Sequence, residues 1–284
     1  MTAQFADAIQ VIDHAAPDAA PRFAASLKDT GFAVLNPHPI PPALITEVYH
    51  GWSGFFASET KHEYTHDPEI QEGYFPFRCE QAKDSSIMDL KEFFHVYPHG
   101  PVPEAVEQPT RQLYNALLEL GLSLLGWLEQ HTPEDVRQWF SKQLPEMMAD
   151  SAQSLFRILH YPPLDGHEEV GAVRAAAHED INLITLLVAG TESGLQVKNA
   201  SGEWQDVPCD PGSVVVNSGD MLQECSGFHF PSTTHRVVNP GGSVENTSRY
   251  SMPFFVHPHP ETVLSEHYTA SSYLQQRLQE IRLK

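Results

Sequence analysis

The chain has 284 residues, 41% of them apolar, which is enough to bury one sizeable core. Its 37 acidic residues against 17 Lys and Arg give a formal net charge of −20. That balance argues against nucleic acid and anionic membranes as partners, because both reward clustered positive charge, and it leaves a small-molecule substrate open.

Cys79, Cys209 and Cys225 have no paired spacing, which predicts reduced thiols in a cytoplasmic protein. No basic-then-apolar leader opens the chain and no run reaches about 18 apolar residues, so neither secretion nor a membrane span is expected.

Val11-Ile12-Asp13 predicts a short first strand, and Pro21 to Asp29 a short helix packed through Phe23 and Leu27. Phe32-Ala33-Val34-Leu35 reads as a strand. Pro41-Pro42 suits a helix start, and Leu44, Val48, Trp52 and Phe55-Phe56 continue it at helical spacing. Residues 58–72 are polar with little pattern. Residues 89–96 mix charge with aromatics and predict an extended segment, with Lys91, Glu92 and His95 on a solvated edge. After Pro101 and Pro103, Leu113, Leu117, Leu120, Leu124 and Trp127 form one stripe of a long helix. A second stripe, Leu118, Leu122 and Leu125, buries it on more than one side. Residues 134–140 predict another short helix.

From residue 153 the texture becomes extended. Strands are expected over residues 154–161, 177–188, 194–197, 213–217, 233–239 and 248–256, punctuated by Pro162-Pro163, Pro211-Gly212, Gly219-Asp220 and Pro240-Gly241-Gly242. A closing helix is expected over residues 261–283. Many short strands with Gly/Pro turns predict a mainly β sandwich or barrel. One domain, 1–284, is expected: a mainly helical supporting region at 1–150, a β core at 151–258 and a C-terminal helix at 259–284, both helical parts packed on the sheet.

His178 and Asp180 stand at the mouth of the apolar run 177–188. Residues i and i+2 of an extended chain share a side, so imidazole and carboxylate converge while Glu179 points away. By themselves they could be a surface hydrogen-bonded pair. His235, on a later strand, offers a third ligand that neighbouring strands of a sandwich can bring back. Two imidazoles and one carboxylate leave positions open and favour Fe(II), though zinc can use the same groups. On the last strand Arg249 and Ser251 share a face, and a guanidinium beside a hydroxyl is a good carboxylate receptor; a solvated Arg and Ser is the plain alternative.

These residues, with Gly31-Phe32-Ala33-Val34-Leu35-Asn36, Gly73-Tyr74, Tyr161-Pro162-Pro163, Gly194-Leu195-Gln196-Val197, Val215-Val216-Asn217 and Arg249-Tyr250-Ser251, resemble the 2-oxoglutarate- and Fe(II)-dependent oxygenases, in the isopenicillin-N-synthase-like branch. The resemblance runs over nearly the whole chain. It implies a double-stranded β-helix, a distorted jelly roll, with helical support. It implies Fe(II) on the catalytic ligands His178, Asp180 and His235, with O2 and 2-oxoglutarate as cosubstrates. Arg249 and Ser251 would take the distal carboxylate, and Tyr161 the near part of 2-oxoglutarate or the substrate. The implied reaction oxidises a C–H bond of a small molecule by hydroxylation, desaturation or cyclisation, releasing succinate and CO2. Phe75, Arg78, Lys91, Phe93 and Phe255 are the candidates for holding that substrate, whereas His229, His257 and His259 are expected to be bystanders. A monomer or small homo-oligomer is expected. One departure is Leu159, where plant members carry an Asn that assists the cosubstrate. Same-fold iron oxidases that do not consume 2-oxoglutarate, and a non-catalytic jelly-roll binding protein, remain alternatives.

Overall fold

A computed structural model describes residues 9–66, 70–81, 87–190, 194–240 and 245–280. The first elements are β1 (Gln10–Ile12), α1 (Ala19–Thr30), β2 (Phe32–Leu35) and α2 (Pro42–Ala57). Then follow β3 (Gly73–Phe75), β4 (Glu92–Val96), α3 (Glu104–His131) and α4 (Glu134–Arg137). The second half holds β5 (Leu155–Tyr161), β6 (Ala175–His178), β7 (Ile184–Val188), β8 (Leu195–Lys198), β9 (Trp204–Asp206) and β10 (Val214–Ser218). It closes with α5 (Asp220–Cys225), β11 (His235–Val237), β12 (Arg249–Val256) and α6 (Ala270–Glu280).

The strands form two sheets. The major sheet has eight strands in the order β1-β2-β10-β7-β12-β5-β4-β3, and the minor sheet four in the order β6-β11-β8-β9. All pairings are antiparallel except β1 with β2. This is the jelly roll expected from the sequence.

Strand alternation explains how the layers stack. Met252, Phe254 and Val256 of β12, Ile184, Leu186 and Val188 of β7, and Phe156 and Ile158 of β5 join Leu113, Leu117, Leu124 and Leu128 of α3 in the main core. The alternate residues face the other way, between the sheets. There Phe32, Val34, Val197, Val215 and Val237 close one end, while Phe75, Cys79, Phe93, Leu159 and Tyr161 cluster separately. The helices thus cover one face of the major sheet and leave the other for a site.

Three features differ from expectation. The N-terminal half is not only a helical support: β1, β2, β3 and β4 extend both edges of the major sheet. β3, at three residues, is too short to show a period. The run 177–188 is not one strand but two, in different sheets. Asn182 breaks it by donating to the Ile184 carbonyl (3.0 Å) and the Thr185 hydroxyl (2.9 Å), a local alternative to the sheet ladder. Finally, Lys91, Glu92 and His95 are not a solvated edge but 6%, 4% and 4% exposed, each with a buried polar partner. The last helix starts at Ala270; its end beyond Glu280, and part of the turn at 240–242, lie outside the described residues.

Candidate active site

His178 ends β6, and His235 opens β11, its antiparallel neighbour, so the two residues are direct cross-strand partners. Their rings lie 4.4 Å apart. Asp180 enters from the bend after β6, with Oδ1 3.9 Å from His178 Nε2 and 3.8 Å from His235 Nε2. Among the described residues these three are the one group of His, Cys, Asp or Glu whose ligand atoms all lie within 4.8 Å of one another.

The second atoms of each group are already used. His178 Nδ1 donates to the Ala176 carbonyl (2.8 Å) and His235 Nδ1 to the Thr233 carbonyl (3.2 Å). Each Nε2 is therefore left as a lone pair aimed at the shared point. Asp180 Oδ2 accepts from Thr185 (2.5 Å) and Asn217 (2.8 Å), leaving Oδ1 for the same point. Glu179 does turn away, to the Thr234 hydroxyl. Backbone bonds hold the bend: the Asp180 carbonyl accepts from Asp220 N–H (2.7 Å), and that of Leu183 from Gly219 N–H (2.9 Å). Gly219 is needed here, because a Cβ would lie 2.3 Å from the Asn182 carbonyl oxygen.

Burial pulls the His178 imidazole below its ordinary pKa, and the neighbouring His235 adds to this. Burial alone would raise the Asp180 carboxyl. His235, His178 and the hydrogen bonds from Asn217 and Thr185 outweigh it and hold the group lowered. Neutral imidazole beside carboxylate is the state that binds a cation. The donor set, two imidazole nitrogens and one carboxylate oxygen, fits Fe(II).

Arg249 opens β12 opposite Tyr161, and Ser251 lies opposite Leu159. Both are buried, and the guanidinium lies 5.1 Å from the Tyr161 ring centre. Gly190 packs on it: a Cβ there would sit 3.1 Å from Arg249 Nη2 and 2.7 Å from the Tyr250 carbonyl oxygen. Burial pushes the Tyr49 phenol up, with Arg249 acting against it, so Tyr49 stands near the same charge. A second buried arginine, Arg174, lies 5.9 Å from the Tyr161 ring centre and donates to the Thr247 carbonyl.

The five substrate candidates separate. Phe75 and Phe93 stack on each other at 4.5 Å and are sealed, as is Lys91, which is bound to Glu80 (2.6 Å) and Asp89 (2.8 Å). Arg78 is exposed and turned towards Glu169 at 4.0 Å. Phe255 alone of the five is half-buried on the inner face, directly opposite Thr185. Sequence reasoning gave no role to Thr185 or Asn217, the two residues that hold Asp180. Each is a polar residue on the inward alternation of an otherwise apolar strand, and that was the available signal. His257, expected to be a bystander, follows Phe255 by two residues. Burial pushes its imidazole down to about 4, with the Asp180 carboxylate acting against it, so it stands near Asp180.

A jelly roll with a His-Asp-His cluster between its sheets, and a buried arginine on a strand of the facing sheet, defines a non-haem oxygenase. Comparison with known proteins agrees. The family model described as "2OG-Fe(II) oxygenase superfamily" matches residues 152–258, and that for the "non-haem dioxygenase in morphine synthesis N-terminal" region matches residues 7–117. The 2-oxoglutarate-Fe(II) type oxidoreductase hxnY of Emericella nidulans is 30% identical over 267 residues, 84% of this chain and 73% of that protein. A Shewanella oneidensis protein described as an oxygenase is 49% identical, with a TM-score of 0.87 over 96% of this chain and 98% of that one. A full-length Neurospora crassa protein, solved in complex with alpha-KG, shares the fold at 24% identity and a TM-score of 0.80, over 98% of each chain. The chain belongs to the 2OG-Fe(II) oxygenase superfamily and is an Fe(II)- and 2-oxoglutarate-dependent dioxygenase acting on a small molecule.

Proposed function

We propose that His178, Asp180 and His235 hold Fe(II), and that Arg249 and Ser251 receive the distal carboxylate of 2-oxoglutarate with Tyr161 beside them. The carrying observation is the convergence of three ligand atoms whose partner atoms are all engaged elsewhere. Fe(II), when bound, supplies activation of O2 coupled to oxidative decarboxylation of 2-oxoglutarate and oxidation of a C–H bond. The chain's part is positioning. The Nδ1–H bonds keep both imidazoles in the tautomer that offers Nε2, and Thr185 and Asn217 keep the carboxylate in one orientation. Arg249, buried at 2% exposure and backed by Gly190, is a fixed charge on the inner wall. The prime reaction is hydroxylation or desaturation/cyclisation, releasing succinate and CO2.

The protein works as one domain. Three cysteines free of disulfides support a reducing, cytoplasmic setting. The net charge of −20 supports a small-molecule substrate without nucleic acid or membrane. Among the described residues, no helix is long and apolar enough to cross a membrane.

The test is anaerobic addition of Fe(II) and then 2-oxoglutarate, watching for the visible charge-transfer band. Wild type should give the band, and Arg249→Ala should weaken 2-oxoglutarate affinity at least about tenfold, the cost of a charge-assisted hydrogen bond. No band overturns the assigned iron and 2-oxoglutarate sites, and an unaffected affinity overturns the role given to Arg249.

A further inference from the structure

Arg157 lies on β5 on the same face as Leu159 and Tyr161, opposite the face of Phe156 and Ile158 that packs on the helices. Its guanidinium is flanked by two rings, Phe93 at 4.5 Å and Phe255 at 5.6 Å. Phe93 continues into a stack with Phe75 (4.5 Å) and His66 (4.0 Å from Phe75), so that ring cannot swing away. Two of the three guanidinium nitrogens are taken. Nε donates to His95 Nε2 (2.8 Å), and Nη1 to Glu80 (3.3 Å). His95 can accept because its own Nδ1–H donates to the Gln71 carbonyl (2.8 Å); burial, with Arg157 beside it, holds this imidazole neutral, well below its ordinary pKa. The third nitrogen, Nη2, has no partner among the described residues and is not sealed, while the Arg157 side chain keeps 19% exposure.

The position of this free donor ties it to the reaction centre. Phe255, against which Arg157 lies, is the cross-strand partner of Thr185, and Thr185 holds Asp180. The same network also reaches the metal strand. Glu80 is shared with Lys91, Lys91 with Asp89, and Asp89 Oδ1 accepts from the Ala176 N–H, two residues before His178. The formal charge is balanced: Arg157 and Lys91 against Glu80 and Asp89, with His95 neutral. A carboxylate brought to Nη2 would face Glu80 and Asp89 without a spare cation. A carbonyl oxygen would gain the donor without that repulsion.

We infer that Arg157 is a specificity-determining residue, and that its Nη2 binds a carbonyl oxygen of an uncharged, ring-bearing substrate lying against Phe255. This rests on the reading of the iron and 2-oxoglutarate sites above. Phe75, Phe93 and Lys91 act behind Arg157, as its stack and counter-charge, without touching substrate.

The experiment uses matched pairs of probes: benzamide with benzoate, nicotinamide with nicotinate, and uracil with orotate. Each is offered to the full chain loaded with Zn(II) in place of iron and saturating 2-oxoglutarate, with binding read by saturation-transfer NMR. At least one uncharged probe should bind, about tenfold or more tighter than its carboxylate partner. Arg157→Lys and Arg157→Met should each weaken that probe about tenfold while the anaerobic Fe(II)/2-oxoglutarate band stays as in wild type. Glu80→Gln leaves one positive charge uncompensated and should shift preference towards the carboxylate member, which loss of structure alone would not do. Failure of every uncharged probe, equal or better binding of the carboxylates by wild type, or unchanged affinity in both Arg157 variants overturns the inference. Absence of the band in wild type instead overturns the iron and 2-oxoglutarate reading.

Discussion

Thr185 donates its hydroxyl to Asp180 Oδ2 at 2.5 Å, and so decides which oxygen of that carboxylate is left for a metal. Asn217 reaches the same oxygen from β10 at 2.8 Å. Removing either donor loosens the ligand without deleting it. Thr185→Val and Asn217→Ala should each lower metal affinity by roughly 10- to 100-fold, the usual cost of losing such a supporting hydrogen bond. Anaerobic titration of Fe(II) against a competing chelator measures this; affinities within twofold of wild type would show that the two donors serve folding only.

Gly190 should be as demanding as any charged residue in the site. A Cβ there would lie 3.1 Å from Arg249 Nη2 and 2.7 Å from a backbone oxygen that cannot rotate aside. Gly190→Ala should therefore weaken 2-oxoglutarate at least about tenfold, equivalent to about 1.4 kcal/mol, while leaving Fe(II) affinity near wild type. Band titration with each component separately distinguishes the two effects.

Glu92 faces away from the site, towards the helices, and holds three elements together. It accepts from Lys61 (3.0 Å), His160 (2.6 Å) and Tyr74, and His160 in turn pairs with Ser248 (3.0 Å). Glu92→Ala leaves the Tyr74 and His160 donors unpaired and the half-buried Lys61 without its carboxylate, and should cost roughly 2–4 kcal/mol of unfolding free energy, read from urea melts. The metal triad, on the opposite face of the major sheet, should still bind where the variant folds.

Acid should destabilise the metal-free protein in a defined window. Burial lowers the imidazoles of His95 and His257, the latter to about 4. The folded state then binds fewer protons than the unfolded chain, so stability is complete above the ordinary histidine value of about 6.5 and is lost as pH falls through the folded values. The lowered carboxyls of Glu80, Glu92 and Asp180 have the same sign and extend the loss below their ordinary range. Urea midpoints should be flat from about pH 8 to 7 and fall from about pH 6.5 to 4, with a shallower slope in His257→Phe.

Local chemistry made much of this protein readable in one dimension. The stripe Leu113, Leu117, Leu120 and Leu124 predicts the buried long helix, because helical spacing and burial are tied by geometry. The pairs His178/Asp180 and Arg249/Ser251 are also legible, since residues two apart in extended chain share a face. Other features depend on partners far away in sequence. Lys91, Glu92 and His95 look solvated because charge in a short segment usually is; Glu80, His160 and Arg157 supply the bonds that let them be buried. Arg78 carries the same charge as Lys91 but, among the described residues, pairs with exposed Glu169 and stays outside.

The residues around position 180 divide the same way. Sequence by itself determined that an imidazole and a carboxylate would stand together, and that His235 was available to complete a metal-binding set. Only the tertiary structure decided that the chain bends after His178 and crosses between sheets, that Thr185 and Asn217 claim one carboxylate oxygen, and that Phe255 and Arg157 form the neighbouring wall. The reason is physical: a shared face follows from the strand's own period, whereas the direction of a lone pair and the partner of a buried charge are set by strands that meet only when both sheets close.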